Sequence, residues 1–183
     1  METAHDLDWL NALPAEAARA ELLKCCGSTS WAKTLAERRP FPTLDQLLAQ
    51  ADEVWWALDQ SDWLEAFRSH PKIGEKKAAA TPTTAAVAGD LVAAQSQQWS
   101  AEEQRGVARA GPETVEKLAR LNRLYEEKFG FIFIVCATSK STDEILALLE
   151  ERIGNEPAAE LSIAASEQAK ITGLRLRKLL EAA

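Results

Sequence analysis

A chain of 183 residues with 46% hydrophobic side chains is long enough to bury one core, and no linker marks off a second domain, so a single domain over 1–183 is expected. Its 21 Lys and Arg against 28 Asp and Glu give a formal charge of -7, and no basic run is interleaved with aromatics, which argues against a nucleic-acid surface. The polar start Met1-Glu2-Thr3-Ala4-His5-Asp6 reads against a signal peptide, and no apolar run approaches about 18 residues, so a soluble intracellular protein without a membrane span is expected.

In chain order the pattern is nearly all helical. Leu7, Trp9, Leu10 and Leu13 form a first segment that Pro14 ends, and 15–26 form a second that stops at Gly27. Cys25, Cys26 and Cys136 fit neither a disulfide framework nor a CxxC metal site, so they are expected as reduced thiols in or near the core. Ser30 is expected to start a third helix, which runs to Arg39-Pro40-Phe41-Pro42. Thr43 is an N-cap for 44–58, where Leu44, Leu47, Leu48, Ala51, Val54, Trp55 and Leu58 recur on one face. Ser61 is then the expected cap of a helix through Asp62-Trp63-Leu64-Glu65-Ala66-Phe67.

That helix leads into His70-Pro71-Lys72-Ile73-Gly74. Proline disfavours helical geometry at the residue before it, so the His70 imidazole is placed at a helix end, where a group titrating near neutral pH is accessible to a ligand. Taken alone, a histidine before proline is more often a cap or a surface residue. The stretch 78–86 is rich in Ala and Thr and reads as a mobile loop ahead of a loosely amphipathic helix near 85–97. A solvated surface insertion is favoured there over a lid.

Ser100 and Glu103 have the S-x-x-E spacing of a capping box, and on spacing alone a structural cap outweighs a catalytic carboxylate. A helix starting there would present free amides to an anion, with Ser100 and Gln104 well placed to hold carboxylate or amide oxygens. The helix is expected to end near Gly111-Pro112. Another spans 113–128, with Val115, Leu118, Leu121, Asn122 and Tyr125 on one stripe and Gly130 as its stop.

Phe131-Ile132-Phe133-Ile134-Val135-Cys136-Ala137 is the one β-like run. Lacking a second strand, it reads as a buried extended or irregularly helical segment whose backbone groups need partners that a polar ligand could supply. Ser141 and Glu144 repeat the capping-box spacing and open a helix to Arg152. The last helix begins near Glu156-Pro157 and carries Arg175 among Leu161, Ile163, Ala164, Ile171, Leu174 and Leu179. Such an arginine either reaches toward solvent or pairs with something anionic, and from its own spacing the first is expected.

The chain resembles the OHCU decarboxylase family. The resemblance rests on Cys26-Gly27, Trp31, Arg39-Pro40-Phe41, the run 62–67, the motif 70–74 and Trp99-Ser100 with Glu103-Gln104. It extends through Asn122 with Tyr125, Lys128-Phe129-Gly130-Phe131, and Ile171 with Leu174-Arg175-Leu176. These lie in order along almost the whole chain. The resemblance implies an all-α multi-helix domain, usually a homodimer, that converts 2-oxo-4-hydroxy-4-carboxy-5-ureidoimidazoline (OHCU) to (S)-allantoin without metal or organic cofactor. It implies His70 as the proton-transfer residue with Glu103 as its acidic partner. Pro71, Ser100, Gln104, the backbone of Ile134, Val135 and Ala137, and Arg175 are implied as substrate binders.

Two departures from the family are visible. The connection from His70 to Ser100 is longer than usual, with 78–98 as an Ala/Thr-rich insertion. The chain also ends at Glu181-Ala182-Ala183 with neither a hydroxyisourate hydrolase module nor a Ser-Lys-Leu ending, from which a cytoplasmic location is expected for a bacterial source. Two other readings stay open at this level: a non-catalytic helical interaction module built on the six tryptophans, and the same fold acting on another ureide.

Overall fold

A computed structural model describes residues 4–74, 87–105, 107 and 110–181. Among these, the chain forms nine α-helices and no β-strand. They fall into two compact units, one of Met1–Ala66 with Ala169–Ala183 and the other of Phe67–Gln168. The Ala/Thr-rich stretch 78–86 lies outside the described residues.

The first unit holds α1 (Ala4–Ala12), α2 (Ala15–Cys25), α3 (Thr29–Glu37), α4 (Leu44–Trp56), most of α5 (Gln60–Arg68) and the second half of α9 (Pro157–Glu181). Helix α2 packs on α3, and α3 on α4, around buried Leu10, Leu22, Trp31, Leu35, Leu47 and Trp55. The Trp31 indole N–H donates to the Ala51 carbonyl at 3.0 Å, so the one polar group of this buried ring finds its partner on α4.

Local sequence explains the helix ends, with two corrections. Ser28, not Ser30, caps α3: it takes extended geometry and its hydroxyl accepts from the Trp31 amide at 3.2 Å, which leaves Ser30 inside the first turn. The Glu65 carboxylate completes that terminus by accepting from the Thr29 amide at 3.0 Å and from the Thr29 hydroxyl, a favourable place for negative charge. Thr43 caps α4 as expected, accepting from the Gln46 amide. Helix α5 starts at Gln60, ahead of Ser61, and the Asp59 carbonyl accepts the amides of Asp62 and Trp63.

The Arg39-Pro40-Phe41 turn ties down α1. Arg39 Nη1 donates to the carbonyls of Leu10 at 2.7 Å and Leu13 at 2.8 Å, which the helix end leaves without intrahelical partners. The Asn11 side chain pairs with the Phe41 amide and carbonyl, each at 2.8 Å.

The second unit holds α6 (Val87–Glu103), α7 (Pro112–Phe129), α8 (Thr142–Ile153) and the first half of α9. Helix α7 packs on α8 over a core of Ile73, Leu118, Leu121, Tyr125, Phe133, Val135, Ile145 and Leu149. Val115, placed on that stripe by periodicity, is instead 38% exposed. Gly130 stops α7 in the left-handed region at φ 77, and the Ser141/Glu144 capping box opens α8 as expected.

Helix α6 overturns the other capping box. It runs unbroken through Ser100, whose hydroxyl donates back to the Ser96 carbonyl at 3.0 Å, and it ends at Glu103. Ser100 and Gln104 therefore sit at a carbonyl end of a helix, not at an amide end. S-x-x-E specifies a start only where the preceding residues are not already helical, and here they are.

All three cysteines are buried and free. Burial pushes the Cys26 thiol up to about 12 and raises those of Cys25 and Cys136 as well.

Candidate active site

His70 stands two residues past the end of α5, its amide donating to the Phe67 carbonyl, and its side chain is half-buried. The helix-end placement expected from Pro71 holds. Three bonds shape the motif that follows. Lys72 pairs with Glu126 of α7 at 2.7 Å, the Ile73 carbonyl accepts from Asn122 Nδ2 at 2.9 Å, and the Gly74 amide donates to Gln104 Oε1 at 3.2 Å. Gly74 has φ 83, and a Cβ there would lie 2.9 Å from Leu118 Cδ2, so glycine answers both to backbone geometry and to space.

Gln104 thus braces the histidine motif through its oxygen. Ser100 is buried on α6, and Glu103 is half-buried at that helix's last residue.

Residues 131–137 are neither helix nor strand, and Phe133 to Ala137 are buried. Such a segment needs partners for its main chain. Arg152 Nη1 donates to the Ile134 carbonyl at 2.8 Å, the Cys136 amide donates to Glu167 Oε2 at 2.8 Å, and Lys140 Nζ donates to the Cys136 carbonyl at 2.8 Å. Burial is the main reason the Cys136 thiol is raised, and the Glu167 and Glu103 carboxylates add to it, so both acids act on this stretch of chain.

Behind the segment lies a buried polar cluster. Arg152 Nε and Nη2 donate to Glu160 Oε1 at 2.8 and 2.6 Å, Asn155 Nδ2 donates to Glu160 Oε2 at 2.8 Å, and the Tyr125 hydroxyl donates to Glu160 Oε1. Burial and the bond to Glu160 raise the Tyr125 phenol well above its usual range, so it stays a donor. The Arg152 guanidinium also lies 4.6 Å from the Phe133 ring centre.

Sequence reasoning missed two residues of this unit, both on α9. Gln168 is fully buried and its Oε1 lies 2.7 Å from His70 Nε2, while its neighbour Glu167 holds the Cys136 amide. A signal was present: Gln168 falls four positions after Ala164 and three before Ile171, a polar side chain on the apolar stripe of a helix. Arg175 lies further along α9 in the first unit and is 1% exposed, so it does not reach to solvent as expected from its own spacing. Its charge acts on the Cys25 and Cys26 thiols in that unit.

A profile of OHCU decarboxylases matches residues 11–177. The chain belongs to the OHCU decarboxylase family. It is 38% identical over 156 residues to the uric acid degradation bifunctional protein TTL of Arabidopsis thaliana, covering 85% of this chain but only 45% of that protein. It is 32% identical over 143 residues to the 2-oxo-4-hydroxy-4-carboxy-5-ureidoimidazoline decarboxylase of Amia calva, covering 78% of this chain and 75% of the relative. A crystal structure of an OHCU decarboxylase in the presence of (S)-allantoin superimposes with a TM-score of 0.71 at 37% identity, covering 88% of this chain and 98% of that one. The all-α architecture expected from the sequence is therefore that of the family. No helix among the described residues is long and apolar enough to cross a membrane.

Proposed function

We propose that this protein decarboxylates OHCU to (S)-allantoin in urate breakdown, using His70 and Glu103 for proton transfer and neither metal nor organic cofactor. The observation that carries the reading is the histidine itself: in a chain matching the OHCU decarboxylase profile, His70 is oriented by a 2.7 Å contact in the unit that also holds Glu103 and the buried 134–137 backbone.

The substrate supplies its own electron sink. The carbon that bears the carboxylate also bears a hydroxyl and adjoins an imine-like carbon. When the bond to the carboxylate breaks, carbon dioxide leaves, the electron pair flows into the neighbouring C=N, and the nitrogen takes a proton. The hydroxyl then loses its proton to become a carbonyl, while the adjacent carbon gains one on a single face. The protein's share is to turn the carboxylate out of the conjugated plane, move these protons and fix the face.

In this reading His70 takes the hydroxyl proton and Glu103 serves the ring. Pro71, next to the imidazole in the chain, contacts the substrate. Gln104 gives its amide N–H to the ureido carbonyl, its oxygen being engaged by Gly74. Ser100 and the backbone of Ile134, Val135 and Ala137 hold the remaining polar atoms, and Arg175 is a further substrate binder in this reading. The protein acts as one domain, as a homodimer and in the cytoplasm, and relative to the family the stretch 78–98 is an insertion in the sequence.

The test is circular dichroism of urate consumed by uricase and hydroxyisourate hydrolase, with and without this protein. A rapid (S)-allantoin signal is expected, and His70→Asn should slow it by about a hundredfold or more while the far-ultraviolet helix signal persists. Racemic allantoin formed at the uncatalysed rate by folded wild-type protein would overturn the assignment.

A further inference from the structure

We infer that Gln168 is a positioning residue that fixes the tautomer of His70, accepting a hydrogen bond from Nε2–H so that the lone pair of the neutral imidazole lies on Nδ1. The inference rests on the proposed decarboxylase reading for its kinetic consequence, but not for its structural one. Gln168 is fully buried on α9, and its Oε1 stands 2.7 Å from His70 Nε2. A neutral imidazole carries one N–H and one lone pair, and the partner of one nitrogen decides which atom is the base.

The choice of glutamine fits that task. A carboxylate in the same place would favour the imidazolium and weaken the base, whereas a neutral amide orients the ring without charging it. An amide is also far less costly than a carboxylate to bury completely. The adjacent Glu167 holds the Cys136 amide at 2.8 Å, so one turn of α9 sets both the imidazole and the 134–137 segment in place. A rigid helix fixes such a pair more closely than a loop would.

The chain has two histidines, His5 and His70, so nitrogen-15 NMR of histidine-labelled full-length protein can read the tautomer directly, with His5→Gln assigning the signals. The expected spectrum has His70 protonated at Nε2 in the free wild-type protein. Gln168→Met, similar in volume but lacking the acceptor, should give a mixture of tautomers, and Gln168→Glu should keep Nε2 protonated, with Nδ1 protonated as well in the imidazolium that a carboxylate favours. In the coupled assay Gln168→Met should lower kcat by about tenfold or more, the scale set by losing the partner that orients a catalytic histidine, with KM changed less than about twofold.

A wild-type His70 protonated at Nδ1 would overturn the inference, as would a Gln168→Met protein that keeps the wild-type tautomer and kcat. If the tautomer follows the variants but no decarboxylation is found, the positioning role stands and the proposed function fails. Should Gln168→Met unfold, the wild-type spectrum and Gln168→Glu still decide the point.

Discussion

At the scale of single residues, the motif His70-Pro71-Lys72-Ile73-Gly74 acts as a unit because each member has its own physical task. Pro71 ends the helical path, Lys72 and Ile73 bind the motif to α7 through Glu126 and Asn122, and Gly74 turns the chain where a side chain would meet Leu118. Gly74→Ala is therefore expected to lose about 1–2 kcal/mol from the left-handed backbone alone, before the crowding at Leu118. A urea titration should show a lower midpoint with an unchanged slope. An unchanged midpoint would mean that the turn can relax without cost. His70 was legible as a residue at a helix end, because proline constrains its neighbour from sequence alone. Its contact with Gln168 was not, since the two lie 98 positions apart and only folding brings them together.

At the scale of helices, spacing told where most elements begin and end, and failed where composition was bland. The stops at Pro14 and Gly130 and the caps at Thr43 and Ser141 were readable because they combine special backbone residues with a change of apolar period. In α6 the alanine-rich run carries little apolar contrast, so Ser100 and Glu103 looked like a beginning when they are an end. The Ser141/Glu144 box offers a pH test. Hydrogen bonds from Ser141 hold the exposed Glu144 carboxyl below its ordinary value. A lowered folded-state value means that the cap's contribution is complete above the unfolded carboxylate range, about 4.3, and fades as pH falls through the folded value. The melting-temperature gap between wild type and Glu144→Ala should be widest near neutrality and narrow in acid, and a constant gap would refute the charged cap.

Helices α8 and α9 are joined by the buried pair Arg152–Glu160, whose arginine also holds the Ile134 carbonyl. Glu160→Leu leaves a buried guanidinium without its carboxylate and should cost about 3–5 kcal/mol, whereas adding Arg152→Met should recover part of that loss. Calorimetry of the two variants checks the order. A single variant as stable as the double would show that the site relaxes to admit water.

At the scale of the whole molecule, the all-α class was legible because helical periodicity persists nearly end to end, and the ordered motifs placed the chain in its family. The burial of Arg175 was not, because a lone arginine on an apolar face reads as surface until the packing around it is known. The three enclosed thiols also turn the protein into its own stopwatch. An alkylating reagent reaches Cys25 or Cys26 only when the first unit opens, and Cys136 only when the second does. When reclosing outpaces the reagent, each labelling rate is the free-thiol rate multiplied by that unit's opening constant. Native protein should then be modified at least about a thousandfold more slowly than unfolded protein, and peptide mapping of the label would assign a separate opening free energy to each unit.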